Sequence, residues 1–182
     1  MDIIKPDIEG LLVIKPKIFC DSRGYFFESY NELRFHEAGL NAKFVQDNES
    51  CSQRGTIRGL HFQEPPHSQG KLIRVVSGAV FDVAVDIRKN SPTYGKWYGI
   101  KLDSVDKLMF WIPQGFAHGF QCLEDNTVFQ YKCTDVYHPE TENAIAWNDP
   151  DIAISWFDIP PIISEKDSRS KSFKSFRSNF IL

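Results

Sequence analysis

The chain has 182 residues, 42% of them hydrophobic and 25% charged, with a formal net charge of -3. Those values suit a globular domain with a sizeable core and give no electrostatic case for nucleic acid. No apolar run of about 18 residues is present to make a membrane-spanning helix.

In chain order the elements are short strands. Leu11-Leu12-Val13-Ile14 is an apolar run followed by Lys15-Pro16, and the proline predicts an edge strand or a turn between two strands. Asp21-Ser22-Arg23-Gly24 is a turn, and Tyr25 to Tyr30 an aromatic strand. Asn31 to Ala38 is the clear early helix, with Asn31 as cap and Gly39 as stop. Phe44 to Ser50 reads as a short strand running into a polar loop, and Ser52 to Gly55 as a turn.

Thr56 to Gln63 follows as a strand. It carries Arg58 and His61, positions of opposite parity that a regular strand would send to opposite faces. Gly59 lies between them, and a mid-strand glycine often marks a bulge. The stretch is therefore read as a bulged strand that presents an anion-binding guanidinium and a titratable imidazole to one pocket. The plainer alternative is a surface arginine and a core histidine.

Lys71 to Val76 is a strand, Ser77-Gly78 a tight turn, and residues 81–88 alternate. Phe81, Val83, Val85 and Ile87 are apolar, while Asp82, Asp86 and Arg88 are polar. Period two predicts one buried face and one that is wet or lines a polar surface. A turn-rich loop (Asn90 to Gly95), a strand from Trp97 to Leu102 and a short apolar strand ended by Pro113 come next. Gly115 to Phe120 reads as a Gly-flanked loop holding His118. Thr127 to Tyr137 reads as one long strand with Phe129, Tyr131, Cys133 and Tyr137 on a shared face.

Short strands with turns every 8 to 12 positions or so indicate a sandwich, jelly roll or closed barrel. Residues 1–182 are read as a single domain, with residues 168–182 a basic tail. Phe173, Phe176 and Phe180 fall at helix-like spacing, which predicts a short amphipathic segment docked on the body. The four cysteines show no CxxC spacing, and Met1 to Pro6 lacks the apolar region of an export signal. The expectation is reduced thiols in a cytoplasm.

Five segments occur in order and at fitting spacings: Arg58-Gly59-Leu60-His61-Phe62-Gln63, Ser91-Pro92-Thr93-Tyr94-Gly95-Lys96-Trp97, Ile112 to Phe120, Trp147-Asn148-Asp149-Pro150 and Ser164-Glu165-Lys166-Asp167. Together they resemble the dTDP-4-dehydrorhamnose 3,5-epimerase family over residues 3–170. The resemblance implies an all-β, cupin-type jelly roll (a double-stranded β-helix) with a few short peripheral helices. It further implies a homodimer that shares N-terminal strands, no metal and no cofactor. The implied substrate is a dTDP-4-keto-6-deoxyhexose of dTDP-rhamnose and cell-surface polysaccharide synthesis. One departure is Trp156-Phe157, where the family pattern has a Trp-Pro pair, so the local loop geometry is expected to differ.

The chemistry implied is proton removal α to the sugar ketone at C3 and C5. That needs a base, a stabiliser for the enolate oxygen, and an acid on the opposite ring face. His61 matches the base; imidazole has a pKa near 6.5. Asp167 matches its dyad partner, although Ser164 to Asp167 taken alone is a helix capping box. Lys71 matches the group facing the carbonyl, and Tyr131 the acid. Read without the resemblance, these are a solvated lysine at a strand start and a core aromatic.

His118 matches a substrate contact near the sugar. Arg23, Arg58 and Lys166 match positions for the diphosphate. Tyr137 matches the residue that stacks on thymine, and Gln46, Asp47, Asn48, Glu28 and Glu142 match further ligand positions. Glu28 also suits a site shared across a dimer. A metal-dependent oxygenase would need several His and a carboxylate on one ion. No H-x-H pair occurs among His36, His61, His67, His118 and His138, and Pro65-Pro66 separates His61 from His67. Two other readings stay open: an epimerase acting on a single carbon, and a nucleotide-sugar-binding module without turnover.

Overall fold

A computed structural model describes residues 1–182. The strands, in chain order, are β1 (Asp2–Ile4), β2 (Leu12–Lys15), β3 (Ile18–Asp21), β4 (Gly24–Phe27), β5 (Gln46–Ser52), β6 (Thr56–Gln63), β7 (Lys71–Ser77), β8 (Ala79–Asp86), β9 (Trp97–Asp103), β10 (Met109–Ile112), β11 (Phe116–Cys122), β12 (Thr127–Cys133), β13 (Glu142–Ala144) and β14 (Ile162–Ile163). Two short helices, α1 (Glu32–Glu37) and α2 (Glu165–Ser168), sit outside the strands. As expected, Asn31 caps α1, its Oδ1 accepting from the Arg34 amide at 3.2 Å, and Gly39 follows the helix at φ +89°.

One sheet runs β1-β2-β10-β7-β12-β5 and the second β13-β6-β11-β8-β9, with β14 added to β6. Every strand pair is antiparallel except β14 with β6. Val13, Ile73, Phe110 and Phe129 from the first sheet meet Val80, Ala84, Leu102 and Phe120 from the second in one buried cluster. Two antiparallel sheets closed over such a core form the expected cupin-type jelly roll. β3 and β4 pair only with each other and leave Phe19, Tyr25 and Phe26 exposed.

The alternation in β8 is real, but its polar face is not wet: Asp82 and Asp86 are as buried as Val83 and Val85. Each buried carboxylate is satisfied. Asp86 accepts from Arg88 Nε (2.9 Å) and Nη2 (2.7 Å) and from the hydroxyls of Ser91 and Thr93 (2.6 Å each). Burial pushes its carboxyl upward, and these donors outweigh that and hold it below the usual range. The Ser91-Pro92-Thr93 turn therefore has a structural task.

His118 is on a strand rather than in a loop. Residues 116–122 form β11 between β6 and β8 and are buried throughout. Gly115 just before the strand and Gly119 within it hid it, because glycines also read as turn residues. β12 ends at Cys133, so Tyr137 leaves the face that Phe129 and Tyr131 share and lies exposed in the following loop.

The tail docks, but not as a helix. One 3-10 turn at Phe173–Ser175 is followed by extended chain, and Phe176 and Phe180 meet Phe62 edge-on at 5.2 and 6.3 Å. The serines explain the difference. Ser175 Oγ donates to the Ser172 carbonyl, Ser178 Oγ to the Ile87 carbonyl, and Ser178 Oγ accepts from the Phe180 amide. Such local bonds compete with helix. At the expected departure, Phe157 N donates to Gln121 Oε1 at 2.9 Å, a bond no proline at 157 could give.

Candidate active site

β6 positions the central pair. Against β11, His61 faces His118 and Arg58 faces Phe120, so β6 holds one more residue than its partner between these pairs. That residue is the predicted bulge at Gly59, which sits at φ +137°. A Cβ there would lie 2.5 Å from Gly119 Cα, so only two glycines allow this approach. The bulge realigns the side chains: Leu60 and Phe62 point to the cluster under the tail, while Arg58 and His61 both line the cleft.

The cleft has two lobes of about 340 and 300 Å³, and Asn48, His61, Lys71 and Tyr131 line both. β5 and β12 bring Asn48 and Tyr131 opposite each other, and β7 brings Lys71 beside Cys133. Arg58, His118 and Phe120 line one lobe, and Gln46, Tyr137 and Glu142 the other.

His61 Nε2 lies 2.5 Å from Asp167 Oδ1. Asp167 comes from the first turn of α2, where its amide donates to the cap oxygen of Ser164 at 3.0 Å. Half of the capping box thus exists, and the carboxylate that would complete it turns to the histidine instead. Burial alone would raise the Asp167 carboxyl. Its bond to His61, the imidazole's charge, Ser164 and the Gly59 amide together hold it below the ordinary range. An ionised Asp167 fixes the proton on Nε2 and leaves Nδ1 as the acceptor toward the cleft.

Lys71 is buried, and its Nζ forms no ion pair or hydrogen bond within the chain, lying 6.0 Å from the Tyr131 ring centroid. Burial pushes its pKa down, and the charges of Cys133, Asp82 and Glu142 only partly restore it. Burial likewise pushes Tyr131 up to about 12, so the phenol stays protonated.

His118 forms a second histidine–carboxylate pair. Its Nε2 lies 3.1 and 3.0 Å from the two oxygens of Asp82. Burial lowers its pKa despite that partner, which favours the neutral ring. Asp82 was not predicted as a site residue. A fully polar position inside an apolar strand was the only signal, and its partner lies on another strand.

At the outer end, Glu142 Oε2 accepts from Tyr137 OH (2.7 Å) and Lys166 Nζ (2.6 Å). Gln46 holds the Tyr137 amide at 2.8 Å. Arg58 donates to Ser52 Oγ through Nε and Nη2. Three predicted residues lie elsewhere in this chain. Asp47 is on the opposite face of β5 from Gln46 and Asn48, paired with Lys132 at 2.9 Å, because neighbours in a strand face opposite ways. Arg23 is at the tip of the β3–β4 hairpin, paired with Asp21. Glu28 is held by Asn31 and Arg34.

Residues 5–175 match the sequence pattern that defines the dTDP-4-dehydrorhamnose 3,5-epimerase family. The dTDP-4-dehydrorhamnose 3,5-epimerase of Methanothermobacter thermautotrophicus is 52% identical, with 97% of this chain and 95% of the relative covered. A solved structure from Legionella pneumophila Philadelphia 1, a dTDP-6-deoxy-D-glucose-3,5-epimerase in complex with dTDP-4-keto-L-rhamnose, superposes with a TM-score of 0.93. It is 48% identical, covering 97% of this chain and 94% of that one. A 3'-monoepimerase from Streptomyces bikiniensis, in complex with dTDP-quinovose, superposes at 0.87 with 33% identity, covering 92% of this chain and 85% of that one.

Proposed function

The chain belongs to the dTDP-4-dehydrorhamnose 3,5-epimerase family, and on that premise we infer that it inverts C3 and C5 of dTDP-4-dehydro-6-deoxy-D-glucose. The product is dTDP-4-dehydro-L-rhamnose, so the protein is an isomerase. The observation that carries the reading is one cleft lined by His61, Lys71 and Tyr131 together. Binding alone requires neither a base nor an opposed acid.

In the mechanism, His61 Nδ1 takes a proton from the carbon α to the C4 ketone, and Asp167 stabilises the imidazolium that results. Charge moves onto the ketone oxygen, where Lys71 meets it. The same burial that lowers the Lys71 pKa makes it a stronger proton donor, suited to an enolate oxygen. Tyr131, protonated by virtue of its raised pKa, returns a proton to the other ring face, which inverts the carbon. Once water has taken the proton from His61 and restored that of Tyr131, repetition at the second α carbon completes the reaction. His118, neutral and held by Asp82, contacts the sugar.

Tyr137 stacks on thymine and Arg58 and Lys166 meet the diphosphate, with Gln46, Asn48 and Glu142 arranging that end. Arg23 and Glu28 belong to a second site. In a homodimer with exchanged N-terminal strands, the β3–β4 hairpin carries them to the neighbouring cleft and buries Phe19, Tyr25 and Phe26, which are 53%, 59% and 70% exposed in one chain. Sedimentation equilibrium is expected to give twice the chain mass; a monomer at micromolar concentration rejects the shared site. The four free thiols support a reducing compartment, the cytoplasm.

The direct test is solvent exchange. In deuterated water the keto-sugar nucleotide is expected to take up label at both C3 and C5. Label at one carbon would move the chain beside the monoepimerase, and none would leave only binding. In Tyr131→Phe, label should still enter while turnover to product falls by about 10²-fold or more, the contribution of one positioned acid. Unchanged turnover in that variant removes Tyr131 from the role.

A further inference from the structure

The rim of the cleft carries a second cluster that catalysis does not use. His67 follows β6, and Asp135 and His138 lie in the loop after β12, so they are far apart in sequence. Their ligand atoms all lie within 4.8 Å of one another, each residue half-buried. His67 Nδ1 is 3.3 Å from Asp135 Oδ2, and the two imidazoles stack with centroids 3.5 Å apart at 11°. None of the three lines the cleft.

We propose that His67, Asp135 and His138 form a binding site for a divalent transition metal of the zinc class, which braces the loop that carries Tyr137. Two imidazoles and a carboxylate are a donor set such ions select. Around a tetrahedral ion with bonds of about 2.0–2.1 Å, ligand atoms sit roughly 3.3 Å apart. His67 and Asp135 already have that separation. His138 closes the site by tilting out of the stack and releasing Glu140, whose Oε1 it holds at 2.9 Å. Glu140, exposed and two residues on, is then free as a fourth ligand.

The backbone beneath is already built. Gln63 Nε2 donates to the carbonyls of His67 (2.7 Å) and Val136 (3.1 Å), and its Oε1 accepts from the His138 amide (2.8 Å). Gln69 Nε2 donates to the Asp135 carbonyl at 2.8 Å. Two glutamines therefore fix both loops without help from the histidine rings, and outer contacts of this kind hold metal ligands in place. Neither ring is therefore needed to hold the backbone of its loop. Tyr137 lies between Val136 and His138, so an ion here would stiffen the chain on either side of it.

The test uses the full chain, untagged and freed of metal, titrated with Co²⁺ and followed by visible absorption, then back-titrated with Zn²⁺. One saturable site per chain is expected, displaced by zinc, and weakened about 100-fold in His67→Ala and in His138→Ala. No saturable signal, or binding that both variants retain, overturns the site. The bracing has its own readout. Zinc should tighten dTDP about fivefold or more in the parent chain and leave His138→Ala unaffected; equal affinity with and without zinc overturns the bracing. Metal titration is independent of turnover, so its outcome stands apart from that of the epimerase reading. Only the dTDP readout rests on that reading.

Discussion

His61→Ala is expected to abolish deuterium uptake at both C3 and C5, with turnover falling by about 10²–10⁴-fold, while dTDP affinity stays nearly intact. The magnitude is that of a positioned general base. In the proposed mechanism both carbons fail together, because one imidazole would serve both α positions of a single ketone. A complication is the carboxylate left behind. Asp167 is 5% exposed, and its largest compensation for burial is the His61 bond. Without it the buried carboxylate loses its main partner, at a cost of roughly 1–3 kcal/mol of stability. His61→Gln separates the two effects, because its side-chain amide reaches the position of Nε2 and still donates to Asp167 yet cannot act as a base. Loss of exchange in a well-folded His61→Gln variant is the decisive result, and retained exchange would assign the base elsewhere.

Lys71→Met is expected to lower kcat/KM by about 10²–10³-fold, the equivalent of roughly 3–4 kcal/mol for one oxyanion donor. Its signature is that stability moves the other way. Lys71 Nζ has no partner within the chain, and the downward pressure on its pKa comes from burial. Methionine keeps the stem and removes that desolvation, so the urea midpoint should hold or rise. A residue that supports activity at the expense of stability is a functional one. A variant that lost stability along with activity would make Lys71 a structural residue and leave the enolate without its donor.

Much of this was legible because the signals are local. The Asn31 cap, the Pro113 stop and the bulge at Gly59 each follow from one or two residues and the backbone they demand. Asp167 could be read as a cap or as a dyad partner, and the structure uses the residue for both: its amide in the cap, its carboxylate at the imidazole. The pairs that escaped are tertiary. Nothing in β8 says that Asp82 meets His118, and nothing around Pro65-Pro66 says that His67 meets His138. Asp47 is a different case. The family resemblance makes Gln46, Asp47 and Asn48 all ligand positions, although strand parity alone sends the middle one to the far face. The tail misled because three phenylalanines at helical spacing weigh less than the serines between them.

The bulge has a consequence beyond aim. A β6 one residue shorter, lacking Gly59, would still alternate Arg58, Leu60 and His61 in the right sense and would meet β11 in unbroken register. The surplus residue is therefore not needed to point either side chain. What it supplies is a spare amide: Gly59 has no cross-strand partner, and its backbone helps to lower the pKa of the Asp167 carboxyl. The irregularity in the ladder frees one main-chain amide beside a buried carboxylate, and that amide favours the ionised form of Asp167.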